Sequence, residues 1–174
     1  MTFRLTKIAN AIAPSEESRT RAATRQFFQN IHTRHRIPVA GREANADLFD
    51  VAGAVTFMLI SKAGNFGIHG DLLAQFARWL IAANPSCGTD KVGGGEWVRS
   101  PAQEAVRRVY AGDDFAFHIV LYRDDTVAIH ADWPREESDR VKRAIATAPE
   151  RPVAAWFTIS ASDIIRDLLE NLER

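Results

Sequence analysis

Cysteine is almost absent from this chain, Cys87 being the only one in 174 residues. One thiol cannot close a disulfide within its own chain, so packing has to hold the fold, and a reducing compartment is the fitting environment. Long apolar runs are missing as well. The longest candidate, Val51 to Ile60, is interrupted by Gly53 and Thr56, and a bilayer requires roughly 20 residues. Arg4 and Lys7 could mimic the charges of a leader, but no adequate apolar stretch and no small-residue cleavage pattern follow. These absences predict a cytoplasmic protein with no membrane partner. Internal repeats and low-complexity tracts are lacking, and so is any surplus of charge: 22 Lys and Arg balance 22 Asp and Glu.

The balance hides an asymmetry. Residues 1–43 hold eight basic residues (Arg4, Lys7, Arg19, Arg21, Arg25, Arg34, Arg36, Arg42) against three acids (Glu16, Glu17, Glu43), so this stretch carries +5 and the remainder −5. A basic arm on a mildly acidic body suggests a polyanionic partner for the arm. The competing reading is two solvated surfaces that offset each other. With 46% hydrophobic and 25% charged residues, the composition is that of a globular protein with a real core.

The first half reads as helices. Leu5, Ile8, Ala9 and Ile12 share one face of a short helix that Pro14 and Ser15 break. Ser15, Glu16 and Glu17 then suit the positive start of a second helix running to about Thr33, with Ala23, Phe27 and Ile31 as its inward stripe. Pro38 and Gly41 exclude helix in the segment that follows, where Ile37, Val39 and Leu48 fit a short hairpin. Asp50 caps a third helix, Val51 to Ala63, ended by Gly64. A fourth runs from about Asp71 to Ala83 with Leu72, Phe76, Trp79 and Leu80 inward.

Residues 84–95, NPSCGTDKVGGG, combine a helix-stopping Asn-Pro with three glycines and read as a linker. Beyond it, Ser100-Pro101-Ala102-Gln103 carries the serine, proline and glutamine of a capped helix start. That helix should reach Tyr110. Phe115 to Tyr122 and Thr126 to Asp132 are expected as strands joined through Asp124-Asp125. A polar helix or turn is expected over 135–147, a third strand over Val153 to Ile159, and a capped C-terminal helix after Ser160. The fold class is therefore α+β: residues 1–83 a helical domain, 84–95 a linker, and 96–174 a small domain of a hairpin, a third strand and a C-terminal helix.

A helix that reads DNA keeps one stripe against its own domain and presents donors on the other. With Ala23, Phe27 and Ile31 inward, the outward stripe of the second helix holds Arg21, Arg25, Gln29 and His32. Arg19 and Thr20 lie near its N-terminal end, where backbone amides favour phosphate. The following hairpin adds Arg34, His35, Arg36 and Arg42 as a wing placed to grip backbone beside the same groove, and arginine's planar fork matches guanine and phosphate. A solvated face with arginines chosen for solubility is the alternative.

The stretches LTKIANAIA, SRTRAATRQFFQNI, AGREANADLFD, VAGAVTFMLISKAGNFGI and HGDLLAQFARWL over residues 3–80 resemble the winged helix-turn-helix DNA-binding domain of MerR-type regulators. That family has a short helix, a recognition helix, an Arg-containing wing, an aromatic-Asp junction and a helix pair. The resemblance covers a little under half the chain and is one of pattern. It implies recognition-helix contacts from Arg21 and Arg25 and a wing contact from Arg42. The long pairing helix of that family does not follow Trp79, so pairing is assigned instead to the C-terminal stripe of Ile164, Ile165, Leu168, Leu169 and Leu172, which could equally pack on its own domain.

Other signals point less far. With a two-residue turn at Asp124-Asp125, His118 and His130 face opposite sides of their strands, which argues against a metal or acid–base pair. Cys87 reads as an exposed bystander thiol, and Gly93-Gly94-Gly95 lacks the ending of a phosphate loop. The aspartate pairs lack the spacing of a calcium loop. Trp79, Trp97, Trp133 and Trp156 read as core and domain-contact residues before a ligand cage, with Trp97 and Trp133, which flank less regular segments, the two to check for a pocket. The expectation is a non-enzymatic, sequence-specific transcriptional regulator that binds double-stranded DNA as a homo-oligomer, without cofactor or metal. The competing expectation is a protein-interaction adaptor or inhibitor that uses the helical fold without DNA.

Overall fold

The computed structural model describes residues 1–13, 18–133 and 151–174, without the side chains of residues 18–21 and of Val92. The expected helix start at Ser15-Glu16-Glu17 and the helix or turn over 135–147 lie outside the described residues. The architecture is α+β, with both helices and strands throughout.

Strand β1 (Thr2–Arg4) leads into helix α1 (Leu5–Ile12), and helix α2 (Ser18–His35) follows. Strands β2 (Gly41–Glu43) and β3 (Ala46–Asp50) form a hairpin, and β1 adds to its far side in the order β1-β3-β2, all antiparallel. Glu43 pairs with Ala46, so Ala44 and Asn45 make a two-residue turn, both with positive φ (46° and 64°). That is the geometry whose twist suits a hairpin.

Asp50 ends β3 and caps helix α3 (Val51–Asn65) as expected, its carboxylate accepting from the Gly53 amide at 2.7 Å. Helix α3 is apolar around most of its circumference, with Ala54, Val55, Phe57, Leu59, Ile60 and Ala63 all fully buried. A helix of that kind has to be enclosed on several sides. Helices α1, α4 (Gly70–Ile81), α5 (Pro101–Tyr110) and α6 (Ala161–Glu173) enclose it, with β1 and β3.

Residues 84–95, expected as a linker, hold defined structure. Strand β4 (Thr89–Val92) pairs with β5 (Gly95–Val98) through a turn in which Gly93 and Gly94 adopt positive φ (60° and 84°). The glycines here serve a tight turn. The expected start of α5 is present in full: the Ser100 hydroxyl accepts from Gln103 N, and the Gln103 side chain accepts from Ser100 N.

A second antiparallel sheet has the order β7-β6-β8, from β6 (Phe117–Tyr122), β7 (Val127–Ala131) and β8 (Val153–Ile159). Its inner face adds Phe117 and Ile119 to an aromatic group of Phe76, Trp79, Phe115 and Trp133, with Trp133 centred 4.8 Å from Phe115 and 5.5 Å from Phe117. One hydrophobic core therefore takes residues from both halves of the chain, from Phe3 to Leu172. Ser160 precedes α6 without a side-chain cap, contrary to the expected signature.

Candidate functional site

Helix α2 is rotated about its axis relative to the expected stripe. Phe28 and Ile31 are buried, while Ala23 is exposed and Phe27 is 41% exposed. Phe28 stacks obliquely on Phe57 of α3 at 5.3 Å between ring centres, and Phe57 meets Phe49 of β3 at 5.0 Å. The choice between neighbouring phenylalanines thus falls to the one that completes this aromatic row.

The rotation takes His32 off the outward face. Its ring lies edge-on to Phe49 at 5.0 Å, and Nε2 faces Asp47 Oδ2 at 3.3 Å. His32 braces the hairpin against the helix and is not placed to read a ligand. Arg25, Gln26 and Gln29 remain exposed. They line one side of an open cleft of about 440 Å³ whose other side is Arg4, Thr6, Asn45 and Asp47. Helix and hairpin tip thus present arginine, amide and hydroxyl groups to one space. Arg25 has no ion-pair partner among the described residues, and Arg19, Thr20 and Arg21 have side chains outside the description.

The cations of this three-stranded sheet are paired. Arg42 Nε donates to Asp47 Oδ1 at 2.9 Å, and Arg4 Nη2 donates to Glu43 Oε2 at 2.9 Å. Both arginines are exposed, with side chains 77% and 54% accessible, so water competes for these pairs and they are weak.

Arg34, His35 and Arg36, expected beside Arg25, belong to another surface. Nine residues separate Arg34 from Arg25, about two and a half turns, which puts them on opposite flanks. Arg34, His35 and Arg36 line an open cleft of about 400 Å³ together with Ala74, Arg78 and Ile81 of α4.

The expected oligomerisation stripe is in the wrong place for that task. Ile165, Leu168, Leu169 and Leu172 are buried and Ile164 half-buried, because α6 packs on α1, α3 and α5 of its own chain. Cys87 is likewise not an exposed thiol: it is 2% exposed in the core. Burial, and next the Glu104 carboxylate, push its thiol pKa up, the opposite of what a nucleophile needs.

Near it lies a network that sequence reading missed. Glu104 is 1% exposed and accepts from three arginines: Arg99 Nε at 2.7 Å, Arg107 Nη2 at 3.0 Å and Arg108 Nε at 2.8 Å. Burial opposes its ionisation, but the hydrogen bonds from Arg107, Arg108 and Arg99 outweigh burial and lower its pKa to about 2. Arg99 also binds Asp90 and the Thr89 carbonyl, which ties the β4–β5 hairpin to α5. Arg108 continues to Asp113 and lies over the Trp133 ring.

His118 and His130 face the same side of their sheet, opposite to expectation. The β6–β7 connection closes through Arg123, Asp124 and Asp125, with Asp125 at φ 60°, and this three-residue loop sets His118 directly opposite His130. The Trp156 indole N–H, which can only donate, lies 3.1 Å from His118 Nδ1, so Nδ1 accepts. The ring proton is then on Nε2, 3.2 Å from Asp132 Oδ2. Both ring nitrogens are engaged and His118 is 1% exposed, so this is a closed polar joint. His130 has its pKa lowered by burial and secondarily by His118. Trp97 is 67% exposed on its hairpin, whereas Trp133 is buried, and neither flanks a cleft among those described.

Among the described residues no helix is long and apolar enough to cross a membrane, and no group of three metal-ligating side chains is assembled. No protein-family model matches the chain, and no curated protein matches it in sequence.

Proposed function

We propose that this chain is a sequence-specific double-stranded-DNA-binding regulator of transcription, with α2 as the reading helix and the β2–β3 hairpin as the wing. One observation carries the reading. Arg25, Gln26 and Gln29 stand exposed on one flank of α2 and share an open cleft with Arg4 and Asn45 at the hairpin side. Arginine and glutamine are the side chains that pair bidentately with guanine and adenine edges, and a helix fits the major groove. The reading also draws on the sequence resemblance of residues 3–80 to MerR-type regulators. A palindromic operator would need a homo-oligomer, and its pairing surface lies elsewhere than the buried face of α6.

The second reading, a protein-interaction adaptor, draws on the Arg42–Asp47 and Arg4–Glu43 pairs, which reduce the free charge of the hairpin. Binding to random duplex DNA at two salt concentrations separates the two. Release of counterions makes affinity fall steeply with salt when several arginines touch phosphate. A flat or absent response rejects DNA and leaves the adaptor. Once an operator is found, Arg25→Ala should cost about 1–3 kcal/mol of specific binding in a competition titration. An equal loss on random duplex would make Arg25 a phosphate contact.

A further inference from the structure

We propose that the cleft between the C-terminal end of α2 and helix α4 is a binding site for a small phosphate-bearing anion, separate from the flank of α2 that carries Arg25. Arg34, Arg36 and Arg78 line it together with His35, Ala74 and Ile81. All three arginines are exposed, and none has a carboxylate within ion-pair distance among the described residues.

Elsewhere Arg4, Arg42, Arg99, Arg107, Arg108, Arg151 and Arg166 hold carboxylates, whereas these three share one cleft whose lining has none. The C-terminal ends of α2 and α4 offset part of the charge. Each helix end contributes only about half a negative charge, so two such ends leave most of three guanidinium charges uncompensated. The potential is felt inside the cleft. His35 has its pKa lowered by burial first and then by Arg34 and Arg78.

The backbone shapes the site as well. Arg36 sits in the left-handed region at φ 53°, immediately after α2, and its amide still donates to the His32 carbonyl at 2.8 Å. Glycine or asparagine is the usual residue at such a helix exit. Here the turn carries an arginine, which lines the same cleft as Arg34. Planar forks of this kind grip phosphate oxygens two at a time. A volume near 400 Å³ suits a diphosphate or a phosphorylated small molecule. DNA in the groove proposed above would meet the opposite flank of α2.

The test is a calorimetric titration of the full chain with inorganic pyrophosphate, with His35 imidazole resonances followed by NMR. Saturable 1:1 binding with a shift at His35 is expected. Arg78→Ala and Arg34→Ala should each weaken it about tenfold, the loss of one charge-assisted contact, and Arg25→Ala should leave it unchanged. These side chains are exposed, and circular dichroism checks that each variant is folded. The proposal is overturned by absence of saturable binding, or by pyrophosphate affinity unaltered in the Arg34→Ala/Arg78→Ala double variant. It is also overturned if Arg78→Ala lowers affinity for duplex DNA as much as it lowers affinity for pyrophosphate, because the cleft would then be part of a nucleic-acid track.

Discussion

Arg99, Arg107 and Arg108 converge on one carboxylate, whereas Arg34, Arg36 and Arg78 converge on none. The first group is organised around a glutamate 1% exposed, in surroundings where an unmatched charge is expensive, and each arginine there holds that carboxylate. The second group is at the surface, where water screens the repulsion and the chain tolerates it. The same residue type thus fixes structure in one place and stays available in the other. Burial of the acceptor separates the two cases.

Removing that acceptor is the hardest blow to the contrast. Glu104→Ala leaves three guanidiniums facing an emptied polar site and should lose about 3–5 kcal/mol in a denaturant titration. A loss near zero would mean that the first group is as dispensable as a surface pair. Acid tests the same carboxylate without a mutation. Its pKa in the fold, about 2, lies below its ordinary value of 4.5, so its stabilising contribution is complete above that ordinary value. It is lost as pH falls toward 2, in total about 3 kcal/mol. Glu104→Gln should flatten that part of the stability–pH curve.

Gly88 sharpens the comparison from the packing side. A Cβ there would collide with the Arg99 guanidinium, which Glu104 and Asp90 hold in place. Gly88→Ala should therefore cost about 1–3 kcal/mol in thermal unfolding, the scale of an overpacked site. At the other extreme, Arg78→Ala should change stability by no more than about 0.5 kcal/mol. A large destabilisation would show that the open cleft is structural after all.

Local signals in the sequence were the readable ones. The cap of α3 at Asp50 and the reciprocal cap at Ser100 and Gln103 depend on residues three apart, and both are present as expected. The phase of α2 was not readable, because Phe27 and Phe28 each keep helical spacing with Ile31. Phe57 and Phe49, distant in sequence, decide between them. The register of β6 on β7 turned on one residue of loop length, and one residue reverses which side chains share a face. The glycines at 93 and 94 looked like slack because their strands, β4 and β5, are short and exposed. Of the residues expected to touch a ligand, Arg25 and Gln29 stand on an open flank, and His32 does not. A histidine turned inward to meet Asp47 leaves no trace in hydropathy.

Helix α3 has one further bearing on how the molecule works. It contacts α1 and α4 from the first half of the chain and α5 and α6 from the second, with no seam in the apolar material between them. Whatever grips the flanks of α2 is therefore linked thermodynamically to the far end of the chain. A ligand that prefers the native state lends its binding free energy to the whole cooperative unit, and α6 is held more firmly although the ligand does not touch it.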